Sequence, residues 1–120
     1  MTNIIIKQYY KKNKILDKKI KICLKNGDFG FSIPKLNENS ILITIELENR
    51  IISFIQYWIL ENKDIFINGV YTIPDYRRQG LSTILHNKIL NSYNSNFFAT
   101  PLTNEYKQLS SKMKINSQPI

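Results

Sequence analysis

Between Val70 and Leu90 the sequence reads as a strand, a basic loop, a glycine and the start of a helix: Val70-Tyr71-Thr72-Ile73-Pro74-Asp75-Tyr76-Arg77-Arg78-Gln79-Gly80-Leu81-Ser82-Thr83-Ile84-Leu85. The first turn of a helix leaves backbone N–H groups without intrahelical partners and carries partial positive charge. A phosphate placed there is bound by those N–H groups. Gly80 has no Cβ to keep an anion from the backbone. Ser82 is small and adds a hydroxyl. Arg77 and Arg78 attract a diphosphate from a distance. Singly, each feature has an ordinary explanation: a glycine before a helix marks a turn, and two loop arginines are solvated charge. Their order along one segment gives the string its meaning.

The other reactive residue types are sparse. Cys23 is the only cysteine and His86 the only histidine. No intrachain disulfide, cysteine-based metal site or Ser-His-Asp arrangement follows from them. Cys23 falls on the apolar face of a helical segment and is expected in the core. His86 falls off the Leu81, Ile84, Leu85, Ile89 stripe, so it is expected to be exposed and without a role.

The elements that must position the Val70–Leu90 segment are legible from periodicity. Residues 3–9 suit a first strand. Residues 13–25 suit an amphipathic helix, with Ile15, Leu16, Ile20, Cys23 and Leu24 at helical spacing and Gly27 placed for a C-cap. Residues 29–39 read as a loop. Strands follow at 41–48, 51–60 and 65–73, joined by the polar turns Glu48-Asn49-Arg50 and Asn62-Lys63-Asp64. Residues 81–91 form a helix and 97–99 a short strand. A last helix over 105–114, capped by Thr103 or Asn104, turns Tyr106, Leu109 and Met113 inward. A three-strand antiparallel meander feeding a β-α-β unit implies an α+β fold, a mostly antiparallel central sheet with helices on both faces. The 120 residues read as a single domain, with no repeat or linker.

Charge is unevenly placed. The net charge is +8, and residues 1–25 carry eight lysines against Asp17 alone. Such a patch suits a polyanionic partner: a phosphorylated cofactor, nucleic acid or an acidic protein. Ile, Lys and Asn are all abundant and have AT-rich codons, which by itself explains lysine as the default surface residue. No aromatic interleaving of the kind that stacks single strands accompanies the lysines. The absence of a signal-peptide pattern or a membrane-length apolar run points to a cytoplasmic protein, of a cell or of an infected host cell.

The Val70–Leu90 string resembles motif A of the GCN5-related N-acetyltransferases, the GNAT family, whose core is Arg/Gln-x-x-Gly-x-Gly/Ala after a strand and a proline. Arg77, Gly80 and Ser82 stand at the three marked positions, Ser82 departing from Gly/Ala. Pro74 and Tyr76 match the lead-in, and Leu85 the apolar helix position. The resemblance covers roughly residues 40–115. It implies acetyl-CoA as co-substrate and an amine as acceptor. The backbone of Thr72 and Ile73 is expected to pair with the pantetheine. The amides of Arg77, Arg78, Gln79, Gly80, Leu81, Ser82 and Thr83 are expected to hold the pyrophosphate.

Catalytic groups are harder to carry over. The family's glutamate position falls on Phe66, and Asp64, two residues earlier, is the candidate base. Tyr71 is expected beside the cofactor channel. The family's late motif, Tyr followed by Lys-Leu-Gly-Phe or similar, aligns with Lys112-Met113-Lys114-Ile115 and puts Ser110 at the tyrosine. Tyr106, one helical turn earlier, is the candidate acid. The six residues after Lys114 are too few for the family's final hairpin, which implies an exposed edge at the last strand or a second copy or partner chain covering it. Two other readings follow: a non-catalytic module of this fold, such as a viral or phage accessory protein, and a nucleic-acid-binding protein using the lysine-rich helix.

Overall fold

A computed structural model describes residues 3–11, 13–25, 40–100 and 103–117 of the chain. Its elements are β1 (Ile4–Tyr9), α1 (Lys14–Leu24), β2 (Ser40–Leu47), β3 (Arg50–Ile59), β4 (Ile65–Thr72), α2 (Leu81–Ser92), β5 (Phe97–Ala99), α3 (Asn104–Lys112) and β6 (Asn116–Ser117), with one 3₁₀ turn at Pro74–Tyr76. The six strands make one sheet in sequence order. β1 to β4 pair antiparallel, whereas β4–β5 and β5–β6 are parallel. The α+β reading holds. The expected Gly27 cap and the 29–39 loop lie outside the described residues.

Helices cover both faces. α1 buries Leu16, Ile20 and Cys23 against Leu42, Ile51, Phe54 and Tyr71. Asn13 starts it: its side-chain oxygen accepts the Leu16 N–H at 2.7 Å. On the other face α2 packs Leu81, Leu85 and Ile89 on Ile43, Ile55 and Ile67, with Tyr106 and Met113 of α3 alongside. Burial raises the Cys23 thiol to about 12, which leaves it an unreactive core group.

One irregularity shapes the functional end of the sheet. In the β3–β4 ladder Gln56 faces Gly69 and Tyr57 faces Ile67, so Asn68 is an extra residue in β4. Such a bulge bends its strand and sharpens the local twist. β5 pairs with β4 only at Ile65, Ile67 and the residue between them, Phe66. β5 ends at Ala99, and β4 runs on past the bulge to Thr72 bonded to β3 alone among the described elements.

The C-terminal segment corrects an expectation. The edge of β5 is not bare: β6 lies along it, pairing Asn116 with Phe98 and Ser117 with Ala99. Lys114 takes a left-handed φ of 60°, and Ile115 then gives its N–H to the Ser110 carbonyl at 2.8 Å. This closes α3 and turns the chain back to the sheet. Ile115 is buried there.

β2 is buried on both faces, including Thr44 and Glu46. The Glu46 carboxylate accepts from Tyr9 Oη, Lys19 Nζ and Thr44 Oγ1, each at 2.8 Å. Burial opposes its charge, but the hydrogen bonds from Lys19, Thr44 and Tyr9 outweigh burial and hold its pKa below the ordinary value. Burial, with the Glu46 bond second, raises the Tyr9 hydroxyl to about 12. The cluster ties β1, α1 and β2 together. Removing one member of such a buried set costs about 3–5 kcal/mol. Glu46→Ala is expected to lose stability of that order in urea titrations at neutral pH. A carboxylate with a depressed folded pKa contributes fully above its unfolded value and loses that contribution as pH falls through the folded one. The stability gap between wild type and variant should therefore narrow as pH drops below the glutamate reference of 4.5.

Candidate functional site

The site forms where β4 leaves β5. Ile73 gives its N–H to the Ile52 carbonyl on the β3 side at 3.0 Å. Strand alternation then turns the backbone groups of Thr72 the other way, toward the gap. The Thr72 carbonyl accepts from Arg77 Nε at 2.8 Å. Of the two residues expected to pair with pantetheine, Thr72 alone is therefore turned to the gap, because the Ile73 amide is committed to β3. The side chain of Thr72 is fixed by Ser53, their hydroxyl oxygens 2.7 Å apart.

The loop that follows is exposed from Arg77 to Gly80. Two left-handed residues curl it, Arg78 at φ 64° and Gly80 at φ 80°. Gly80 is the N-cap of α2, and no side chain caps the helix. The first intrahelical bond is Ile84 N–H to the Gly80 carbonyl at 3.1 Å, so the amides of Leu81, Ser82 and Thr83 precede it. No atom lies within 4 Å of a Cβ built on Gly80. An open, uncapped N-terminus on a helix of 12 residues, flanked by two arginines, has the donors, charge and room for a phosphate group.

The catalytic candidates scatter. Tyr71 is buried on the α1 side, its ring 5.8 Å from that of Phe54, with the Arg77 guanidinium 5.6 Å above it. Asp64 sits before β4, exchanging bonds of 3.0 Å with Asn62, at the end where β4 and β5 are still paired. Ser110 is buried and its hydroxyl donates back to the Lys107 carbonyl at 3.1 Å. Tyr106 lies in the first turn of α3, just past the end of β5.

His86 departs from expectation. It is fully buried, and Ile84 is the residue left 41% exposed. The inward set of α2 is Leu81, Leu85, His86 and Ile89. The reason is α3, which packs beside α2 and gives the imidazole a partner: His86 Nε2 and Tyr106 Oη are 2.9 Å apart. His86 Nδ1 is 2.7 Å from the Ser82 carbonyl, one turn back on α2. Burial lowers the His86 pKa, the Ser82 bond opposing it, and burial raises Tyr106 to about 12. A single histidine spaced four residues from Ser82 was the available sequence signal. The partner from α3 is a tertiary contact that spacing does not reveal.

Residues 8–104 match the model of the acetyltransferase (GNAT) family. The chain belongs to the GNAT family. Solved GNAT-type structures share its fold at low identity. Aminoglycoside N-acetyltransferase AAC(6')-Iy, solved with a bisubstrate analogue built on CoA, is 14% identical with a TM-score of 0.68, over 96% of this chain and 92% of that one. The aminoglycoside acetyltransferase meta-AAC0020 from an uncultured soil metagenomic sample, in complex with sisomicin, is 15% identical with a TM-score of 0.68, over 98% and 92%. The ribosomal-protein-alanine N-acetyltransferase of Brucella melitensis biovar Abortus 2308 is 12% identical with a TM-score of 0.67, over 92% and 90%. No curated protein matches the sequence. The GNAT late motif has a glycine where Lys114 stands, and the left-handed φ of Lys114 is the conformation a glycine there would supply.

Gly80 is held by its dihedral and not by crowding. A left-handed conformation costs an L-residue about 1–2 kcal/mol. Gly80→Ala is expected to lower unfolding free energy by about that amount, read by urea titration, with the far-UV spectrum unchanged.

Proposed function

We propose that the chain is an acetyl-CoA-dependent N-acetyltransferase acting on a primary amine, with residues 1–120 working as one domain. The observation that carries this reading is the coincidence of two features at one end of the sheet. β4 continues past Ile67 without β5, and α2 begins there with an uncapped N-terminus. The first leaves an unpaired strand edge long enough to bond an extended amide-bearing arm. The second supplies amides for a diphosphate. Pantetheine and pyrophosphate are joined in CoA in that order.

In this reading the pyrophosphate rests on the amides of Gly80 to Thr83, with Arg77 and Arg78 neutralising its charge. The pantetheine pairs with Thr72. The thioester then lies near the bulge at Asn68, where the strands part. The acceptor amine attacks the carbonyl carbon, the carbon–sulfur bond breaks, and the nitrogen proton must leave as the thiolate is protonated. Proton transfer by positioned groups contributes roughly 10²–10⁴-fold to such steps. Tyr106 is the residue assigned to this transfer, since it lies in the first turn of α3, the helix that follows β5.

A second reading, a CoA-binding module without transfer, has support in Ser110: its hydroxyl is buried and committed to the Lys107 carbonyl, so it cannot stand in for a tyrosine acid. Calorimetry and a free-thiol assay separate the two. Acetyl-CoA is expected to bind, and Gly80→Val to weaken it by at least about tenfold, a loss of about 1.4 kcal/mol. With sisomicin, spermidine or a peptide with an N-terminal alanine as acceptor, transfer releases CoA thiol. Binding without thiol release favours the module, and no heat with either acetyl-CoA or CoA rules out both readings.

A further inference from the structure

We infer that His86 and Tyr106 form a proton relay, in which Tyr106 takes the proton of the acceptor amine while passing its own to His86. This deepens the acetyltransferase reading and rests on it. The Ser82 carbonyl is an acceptor only, so the 2.7 Å contact with His86 Nδ1 requires the hydrogen on Nδ1. In a neutral imidazole Nε2 is then bare and accepts. The 2.9 Å contact with Tyr106 Oη therefore runs from the tyrosine hydroxyl to the histidine. Burial depresses the pKa of His86, which keeps the ring neutral near physiological pH. Among the described residues, the side chains with a polar or ring contact to the imidazole are Ser82 on its own helix and Tyr106 from α3, the rings lying 5.4 Å apart. Among the described residues, burial and the Ser82 bond are what move its pKa.

With its hydrogen pointed at His86, Tyr106 presents oxygen lone pairs elsewhere. The residue is partly exposed and lies in the first turn of the helix that follows β5, and ligands of parallel strands bind beyond their C-terminal ends. An amine nitrogen in the gap can hand its proton to this oxygen as the hydroxyl proton moves to Nε2. Tyr106 stays neutral and His86 becomes an imidazolium, its Nδ1–H still held by the Ser82 carbonyl. The reverse shift delivers a proton from Tyr106 to the CoA sulfur as the carbon–sulfur bond breaks. The amine proton ends on the thiol, and both side chains return to their starting state. Tyrosine alone, at about 12, would have to bear a full charge in one of the two half-steps. The relay moves that charge to the His86 ring. His86 acts through Tyr106 and is a positioning residue and proton store.

The test uses the full chain with nitrogen-15-labelled histidine, in which His86 is the only imidazole. Near neutral pH the relay requires hydrogen on Nδ1 and a bare Nε2 whose signal moves in Tyr106→Phe. A hydrogen on Nε2 overturns it. A kinetic arm measures thiol release from acetyl-CoA with sisomicin, spermidine or water as acceptor. In His86→Gln the side-chain amide can still accept from Tyr106 but cannot take its proton. CoA affinity by calorimetry should be unchanged, while turnover falls about 100-fold and the acid limb of the pH–rate profile, set by His86 below 6.5, disappears. Unchanged turnover and pH profile in His86→Gln overturns the relay alone. CoA binding with no thiol release from any acceptor also overturns it, leaving the cofactor site standing. Failure of the wild-type chain to bind CoA removes the acetyltransferase reading and the relay with it.

Discussion

The functional end of this molecule depends on a strand that is paired on only one side. A backbone N–H or C=O left without a partner is costly when buried, so a sheet normally closes its ladders. Here β4 passes its bulge at Asn68 and continues to Thr72 while β5 has already ended. The Thr72 carbonyl is met by the Arg77 side chain, and the Ile73 amide is returned to β3. The bulge interrupts the β3–β4 ladder, and the left-handed residues at 78 and 80 lead the chain into the uncapped start of α2.

Two buried polar clusters brace that geometry from opposite faces. On the α1 face, Glu46 collects Tyr9, Lys19 and Thr44 and ties the edge strand to the helix. On the other face, His86 joins α2 to α3 through Tyr106. They differ in kind. Glu46 is an ionised group whose hydrogen-bond partners are all supplied by the protein, which suits a structural tie. The His86–Tyr106 pair is neutral, a hydroxyl-to-imidazole hydrogen bond between two helices.

Much of the fold was legible in the sequence because its signals are local. Alternation marked the strands, Thr103 marked a helix start, and Gly80 marked a turn before a helix. The string from Val70 to Leu85 also pointed to the family. Features requiring knowledge of a neighbour were not legible. The bulge at Asn68 arises from register against Gln56 and Tyr57. The buried state of Glu46 depends on Lys19 arriving from α1. His86 reads as a surface residue on a helical wheel until α3 is laid beside it. β6 is two residues long, too short for any periodicity to register.

The central claim is that an extended cofactor arm completes β4 beyond Ile67 with its diphosphate on α2. Amide chemical-shift mapping on titration with CoA tests it most directly. The account predicts that the largest shifts fall on the amides of Thr72 and Gly80 to Thr83, with amide exchange slowed at Thr72, while Ile65 to Ile67, already paired with β5, stay unchanged. Saturable shifts centred on the lysine face of α1, with Thr72 and the start of α2 unmoved, would contradict it.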